Sequence, residues 1–453
     1  MPLHPSSSPH SPAALDRNAE LMARRRAALP AGLGQAHEIF VVRADNAEVW
    51  DADDRRYLDF TGGISVLNTG HRHPEVVAAV QQQLGALTHS CFQVLAYEPY
   101  VELAEALNAR APGVAQGQRW KTFFMTTGAE AVENAVKIAR AATGRPGVIA
   151  FGGGFHGRTM MGLALTGKVK PYKVGFGPFP GEVWHAPFPS PAHGRSTAQC
   201  LATLEQLFKA DVDPARVAAI VLEPVQGEGG FHVAPIEWVR ELRALCNRHG
   251  IVLIADEVQT GAGRTGRWLA CQHWFEQAGV LPDLITMAKS LAGGLPLSAV
   301  TGRTELMDAV APGGLGGTYA GPPLACAAAL AVLRIFDRER LAERADAVGQ
   351  RLRRGLAPIL ARHPAIADLR GLGAMVAIEL TQVGPHGPDL HVPDAELTAR
   401  VIREAARRGL LLLSCGSDGN VIRFMVPLTA PDAQIDEGLA ILATTFDALA
   451  TSA

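Results

Sequence analysis

Lys289 is the residue of this chain whose position first calls for a chemical explanation. It stands in LITMAKSLAGGLP, residues 284–296, at the end of a strand-like run and just before the turn Gly293-Gly294. An amine at such a boundary is partly desolvated, which lowers its pKa and favours the neutral, nucleophilic form. Two carboxylates fall at equivalent places, Glu223 in VAAIVLEP (217–224) and Asp256 in IVLIADE (251–257). An ionised aspartate at the end of such an apolar run needs a cationic partner. A helix cap or a metal ligand are plainer roles for Asp256, but no neighbouring cluster of His or acids completes a metal site. Its best counterpart is a ring N–H⁺.

Two further stretches offer ligand contacts. FGGGFHGRT, 151–159, follows a strand and sets an aromatic, an imidazole and a guanidinium among glycines. Phe155 or His156 could stack on a ring and Arg158 could clamp a carboxylate; a Gly-rich turn carrying a surface arginine is the plain alternative. FMTTGAEAVENAVKIAR, 124–140, places Thr126-Thr127-Gly128 before a helix whose apolar face runs Val132, Ala135/Val136 and Ala139. Free N–H groups and the positive dipole end at such a start favour a phosphate, although a Thr there is also an ordinary N-cap. An amine, a strand-end aspartate for a pyridinium nitrogen, a helix start for a phosphate and an aromatic for ring stacking are together the parts that hold pyridoxal 5′-phosphate.

The elements that must position these groups are readable in outline. IFVVRADNAEVWDADDRRYLDF alternates and breaks as paired antiparallel strands would. From about residue 75, long helical stretches are separated by the short apolar strands 148–151, 217–224, 251–257 and 284–288. That alternation predicts an α/β fold with a doubly wound, mostly parallel sheet, whose ligands sit at the carboxyl ends of the strands. From about 336, charged helices alternate with GAMVAIEL and VIRFMVPL as in a smaller α+β domain, with TQVGPHGPDLHVPD between them as a loop. The expected division is a loose tail at 1–15, a small domain built from 16–66 and 336–453, and a large domain at 67–335.

Composition narrows the partners. The chain has 453 residues, 48% hydrophobic and 19% charged, and 42 basic against 44 acidic residues leave a formal charge of −2. Such a chain buries a sizeable core, and nothing in the balance points to nucleic acid or an anionic membrane surface. LACAAALAVL, 324–333, is too short to cross a bilayer and suits a buried helix. The six cysteines are dispersed, with no C-x-x-C pair, and read as reduced core residues of a cytoplasmic protein without a metal centre.

GGISVLNTGHRHP, QVLAYEPYVELAE, TTGAEAVENAVKIAR, FHGRT, EPVQGEGGF, IADEVQTGAGRTG, MAKSLAGGLPLSAV, GGTYAG and LLLSCG…GNVIRF occur in that order from about residue 17 to the end. Together they resemble the subgroup (class) III aminotransferases, most closely those acting on 4-aminobutyrate. The resemblance implies a fold-type-I pyridoxal-phosphate enzyme in which Lys289 forms the internal Schiff base and Asp256 pairs with the pyridine nitrogen. It also implies that Gln259 reaches the phenolic oxygen, that Val258 and Phe155 sandwich the ring with His156 beside it, and that Gly128 and Ala129 give N–H groups to the phosphate. Thr318 would reach the phosphate of a neighbouring subunit, making the active unit a homodimer or homotetramer.

For substrate, the resemblance implies that Arg158 binds the carboxylate remote from the reacting amine and Arg423 the α-carboxylate of glutamate or 2-oxoglutarate. Glu228 would pair with Arg423 when a 4-aminobutyrate-like donor leaves that arginine facing a C–H; Glu223 would shape the same pocket and Ile64 would touch the substrate chain. The expected reaction moves an amino group from 4-aminobutyrate to 2-oxoglutarate by a ping-pong route. Alternatives in the family are 5-aminovalerate, acetylornithine, or β-alanine with pyruvate, and outside it a racemase or a cofactor-binding protein without turnover. Two positions depart from the family pattern: Pro322 replaces an Asn, and Asp418 stands where an aromatic is expected.

Overall fold

The computed structural model describes residues 16–385 and 387–451, so the tail expected at 1–15 lies outside the described residues. After an N-terminal helix (Arg17–Ala28) come β1 (Val41–Asp45), β2 (Glu48–Asp51) and β3 (Arg56–Asp59), an antiparallel set. Next are β4 (Trp120–Met125), β5 (Gly147–Phe151), β6 (Val183–Ala186) and β7 (Val217–Leu222), then a small hairpin of β8 (Val225–Gln226) and β9 (His232–Val233). β10 (Val252–Asp256), β11 (Leu284–Met287) and β12 (Ser298–Arg303) follow. After the helices Pro323–Arg338 and Leu341–Arg362 come β13 (Ile366–Leu372), β14 (Met375–Gly384), β15 (Gly387–Pro393), β16 (Leu410–Leu411), β17 (Leu413–Cys415) and β18 (Val421–Phe424).

Seven strands form the central sheet in the order β4-β12-β11-β10-β7-β5-β6. β5, β6, β7, β10 and β11 run parallel; β12 is antiparallel to both neighbours, which turns β4 back into line with the rest. β5, β7, β10 and β11 are buried along their whole length. Helices cover both faces, and the continuous apolar runs satisfy both. The carboxyl ends of β4, β5, β7, β10 and β11 therefore open on one edge, followed in sequence by Thr126, Gly152, Glu223, Glu257 and Ala288.

The first and last parts of the chain meet. β16 adds in parallel to β3, pairing Leu410 with Leu58 and Leu411 with Asp59, and β13-β14-β18-β17 form a second sheet beside it. The helix Pro323–Arg338, which contains the apolar run at 324–333, is buried through Ala325, Cys326, Ala328 and Ala329. The stretch TQVGPHGPDLHVPD, expected as a loop, is instead an edge hairpin. β14 continues to Gly384 and β15 returns with Thr381 opposite Pro393 and Val383 opposite Pro388. Prolines cannot donate to a ladder and are tolerated on an edge strand, so their presence disguises this pairing. No helix among the described residues is long and apolar enough to cross a membrane.

Candidate active site

The end of β4 leads directly into the helix Gly128–Thr143. Thr127 caps it by accepting from the Glu130 N–H, while Glu130 accepts from the N–H groups of Thr126 (3.1 Å) and Thr127 (2.7 Å). This capping box fixes the helix start, and the first-turn N–H groups of Gly128 and Ala129 have no carbonyl four residues back to bond. A Cβ on Gly128 would lie 2.9 Å from Val258 Cγ1, and one on Gly157, at φ +110°, would lie 2.6 Å from Ala129 Cβ. Only glycine lets these three loops close on the helix start.

The loop after β5 carries Phe155, His156 and Arg158. His156 is buried, with Nδ1 2.7 Å from Asp256 Oδ2. Burial opposes charge on the imidazole, but the hydrogen bond and charge of Asp256 outweigh it and raise the His156 pKa. Asp256 Oδ1 accepts from Thr286 Oγ1 at 2.9 Å and from the Val258 N–H at 3.1 Å. The aspartate at the end of β10 is thereby held from three sides. Glu223, beyond β7, spends Oε1 on the Phe155 N–H (2.9 Å) and Oε2 on the Gly227 N–H (2.8 Å), so it ties two loops together; burial pushes its carboxyl up to about 7.

Lys289 sits just past β11 in a short turn, at φ +46°. Burial lowers its amine to about 8; the charge of Glu228 pulls the other way and that of Arg423 adds to the lowering. Thr127, Gly128, Ala129, Phe155, His156, Glu223, Asp256, Val258, Gln259 and Lys289 line one cavity of about 360 Å³. Buried Gln259 has an Oε1 with no hydrogen-bond partner there. A reactive amine, an anchored carboxylate, a free helix start, a glycine cradle and an orphaned amide oxygen in one cavity fit pyridoxal phosphate.

A second cavity of about 690 Å³ opens outward from the first and shares Phe155, Glu228 and Lys289 with it. Its walls carry Ile64, Arg158, Tyr172 and Arg423. Arg423, on β18, is 4% exposed and ion-paired with Glu228. Burial pushes the Glu228 carboxyl up, but the adjacent Arg423 charge and hydrogen bond more than reverse this, leaving it below the ordinary carboxylate value. Arg158 forms no ion pair among the described residues; its guanidinium carbon lies 5.0 Å from the Tyr172 ring centre. One arginine is thus already neutralised by the protein and the other is available to a ligand.

Ile64 lies in a left-handed turn in which Gly62, Gly63, Ile64 and Ser65 all have φ between +48° and +65°. A β-branched residue there is strained. The turn is held by Ser290 Oγ donating to Ser65 O (2.8 Å) and by the Met425 N–H donating to Phe60 O (2.9 Å), which link it to the Lys289 turn and to the end of β18. Thr318 is exposed and lines neither cavity. Asp418 is also absent from both; it lines a separate polar cavity with Arg370 and Glu379. Pro322 precedes the helix Pro323–Arg338 and gives it no side-chain cap.

Sequence reasoning overlooks Tyr172 and Thr286. Thr286 is the polar member of the apolar run LITM, a signal that could have been used; Tyr172 lies in GKVKPYKVGFGPFPG, where no periodicity marks it.

The profile of the family described as aminotransferase class-III matches residues 31–446. The chain is 59% identical over 433 residues to a 5-aminovalerate aminotransferase of Pseudomonas aeruginosa and 58% identical over 433 residues to a 4-aminobutyrate aminotransferase of Escherichia coli. Each alignment covers 96% of this chain and 99% of the relative. Among solved structures, a Bacillus anthracis aminotransferase superposes with a TM-score of 0.87 at 28% identity, covering 96% of this chain and all of that one. An amine transaminase of an uncultivated Pseudomonas species, in its PLP-bound form, superposes with a TM-score of 0.82 at 31% identity, covering 99% of both chains.

Proposed function

The chain belongs to the class-III aminotransferases, and on that footing we propose that it moves the amino group of 4-aminobutyrate to 2-oxoglutarate, yielding succinate semialdehyde and glutamate, with 5-aminovalerate as a second donor. The observation that carries this reading is the buried Arg423–Glu228 pair beside Lys289, set against an Arg158 with no ion pair. An ω-amino acid has one carboxylate, which Arg158 can take, and presents only C–H to Arg423. A buried guanidinium without a partner is costly, and Glu228 supplies the partner. Glutamate and 2-oxoglutarate have two carboxylates, and Glu228 must yield Arg423 to the second. One methylene changes binding by only about 1–3 kcal/mol, so a roomy cavity does not separate the C4 donor from the C5 donor sharply.

Pyridoxal phosphate, when bound, supplies an aldehyde that condenses with amines and a ring that draws off the charge left when a neighbouring C–H loses its proton. In the proposed arrangement Gly128 and Ala129 bind the phosphate with backbone N–H groups at the positive end of their helix. Phe155 and Val258 would hold the two faces of the ring, and Gln259 would reach its phenolic oxygen. Asp256, fixed by His156 and Thr286, would keep a proton on the ring nitrogen. Lys289 Nζ, with its pKa near 8, would be available as a neutral base close to working pH; it would take the proton from the substrate carbon that bears nitrogen and return it to the carbon that was the cofactor's aldehyde carbon.

The same reading assigns the cofactor machinery to a large domain at 67–335, with Ile64 and Arg423 brought in by a small domain made of 16–66 and 336–453. It also takes the active unit to be at least a homodimer. Exposed Thr318 would reach the cofactor phosphate of the other copy, and its neighbour Tyr319 is 67% exposed in the single chain.

A donor panel tests the assignment. 4-Aminobutyrate, 5-aminovalerate, N-acetylornithine and β-alanine are each paired with 2-oxoglutarate and with pyruvate. The first two should give the highest kcat/KM, and only with 2-oxoglutarate. A clear preference for N-acetylornithine, or for pyruvate as acceptor, would replace it.

A further inference from the structure

One side chain in the outer cavity touches two of the groups on which substrate choice turns, Glu228 and Arg158, and reaches the third, Arg423, through Glu228. The Tyr172 hydroxyl donates to Glu228 Oε2 at 3.3 Å, while Glu228 Oε1 accepts from Arg423 Nη1. The Tyr172 ring lies 5.0 Å from the Phe155 ring, tilted by 59°, and its centroid is 5.0 Å from the Arg158 guanidinium carbon. The two oxygens of the Glu228 carboxylate are therefore held by different partners, and one of these partners also supports the free arginine.

We propose that Tyr172 is a positioning residue that holds Glu228 on Arg423 and so sets the balance between one-carboxylate and two-carboxylate ligands; the inference rests on the two-arginine reading above. For a second carboxylate to reach Arg423, Glu228 must leave both the guanidinium and the phenol. The Tyr172 hydrogen bond adds to the cost of that departure and favours ligands that leave Arg423 alone. Burial and the nearby Glu228 charge push the phenol pKa up to about 12, so the hydroxyl stays a donor across the working pH range. The aromatic face under Arg158 is a separate contact, of the kind a guanidinium makes with a ring, and it does not depend on the hydroxyl.

The hydroxyl can be removed while the ring stays. In holoenzyme carrying Tyr172→Phe, calorimetric titration with glutarate, an unreactive dicarboxylate, should give a Kd about three- to tenfold lower than in wild type, the size of one modest hydrogen bond. Butyrate, which needs only Arg158, should change less than about twofold. In a Glu228→Gln background the Tyr172→Phe effect on glutarate should shrink, because the ion pair it reinforces is gone. Relative to Tyr172→Phe, Tyr172→Leu, which also removes the ring face under Arg158, should weaken both acids. An unchanged or raised glutarate Kd in Tyr172→Phe, or equal shifts for glutarate and butyrate, would overturn the proposal. Because these are binding measurements, they stand apart from the donor panel; a wild type that used no ω-amino donor would sink the substrate reading and leave the glutarate result to be judged separately.

Discussion

His156 Nδ1 lies 2.7 Å from Asp256 Oδ2 across a sequence separation of 100 residues, with both side chains buried. The loop after β5 is thereby pinned to the end of β10, and the aspartate is oriented by an imidazole whose pKa it raises. Replacing His156 by Phe leaves a buried carboxylate with only Thr286 and a backbone N–H. Breaking one side of a buried pair costs on the order of 3–5 kcal/mol. The variant should melt earlier and lose pyridoxal phosphate on dialysis, measured by calorimetry and by cofactor fluorescence. The pH dependence has a definite sign. The His156 pKa is raised in the folded state, so its contribution is full below the unfolded value of about 6.5 and fades as pH rises through the folded value. The stability gap between wild type and variant should therefore narrow at alkaline pH.

The Lys289 amine, lowered to about 8, sets a second pH dependence. Only the neutral amine attacks an aldehyde, so capture of added pyridoxal phosphate by the cofactor-free protein should accelerate between pH 7 and 9 and level off above. Neutral amine is about a tenth of the total one pH unit below the pKa, so the rise should approach tenfold. Borohydride trapping and mass spectrometry at Lys289 would follow it. Lys289→Ala should take up the cofactor without a covalent link and show no amino transfer.

Gly157 tests the cradle. At φ +110° a side chain is strained, and its Cβ would press on Ala129 at 2.6 Å, in the first turn of the helix that receives the phosphate. Gly157→Ala should lower cofactor affinity by tenfold or more. Gly128→Ala has no strained φ and meets Val258 at 2.9 Å, so it should lose less affinity and less stability. Equilibrium dialysis of both variants would rank them.

Legibility in the sequence follows physical range. β10 and β11 are readable because each is a mostly apolar run, broken only by Thr286 in β11, that stops at a charge, Asp256 or Lys289, and the capping sequence at Thr127–Glu130 announces its helix. The antiparallel course of β12 is not readable, since its composition suits either direction and only its pairing with Thr286 and Met287 on one side and Phe123 and Phe124 on the other decides it. The β14–β15 hairpin is hidden by Pro388 and Pro393. At the site, a resemblance to a known family names Lys289, Asp256 and Arg423, but long-range contacts give two other residues of the sequence reading, His156 and Glu223, further roles. His156 braces Asp256, and Glu223 joins two loops through their N–H groups. Tyr172 meets Glu228 across 56 residues from a loop rich in proline and glycine, and no local pattern announces such a contact.

The central claim is that Glu228 neutralises Arg423 for ω-amino donors and releases it for glutamate. The most direct test is single-turnover kinetics of Glu228→Ala with 4-aminobutyrate and, separately, with glutamate. Truncating one partner of a buried charge pair costs about 2–5 kcal/mol, so kcat/KM for 4-aminobutyrate should fall on the order of a hundredfold. The glutamate half-reaction, in which substrate itself covers Arg423, should stay within about tenfold of wild type. Equal losses in the two half-reactions would contradict the account.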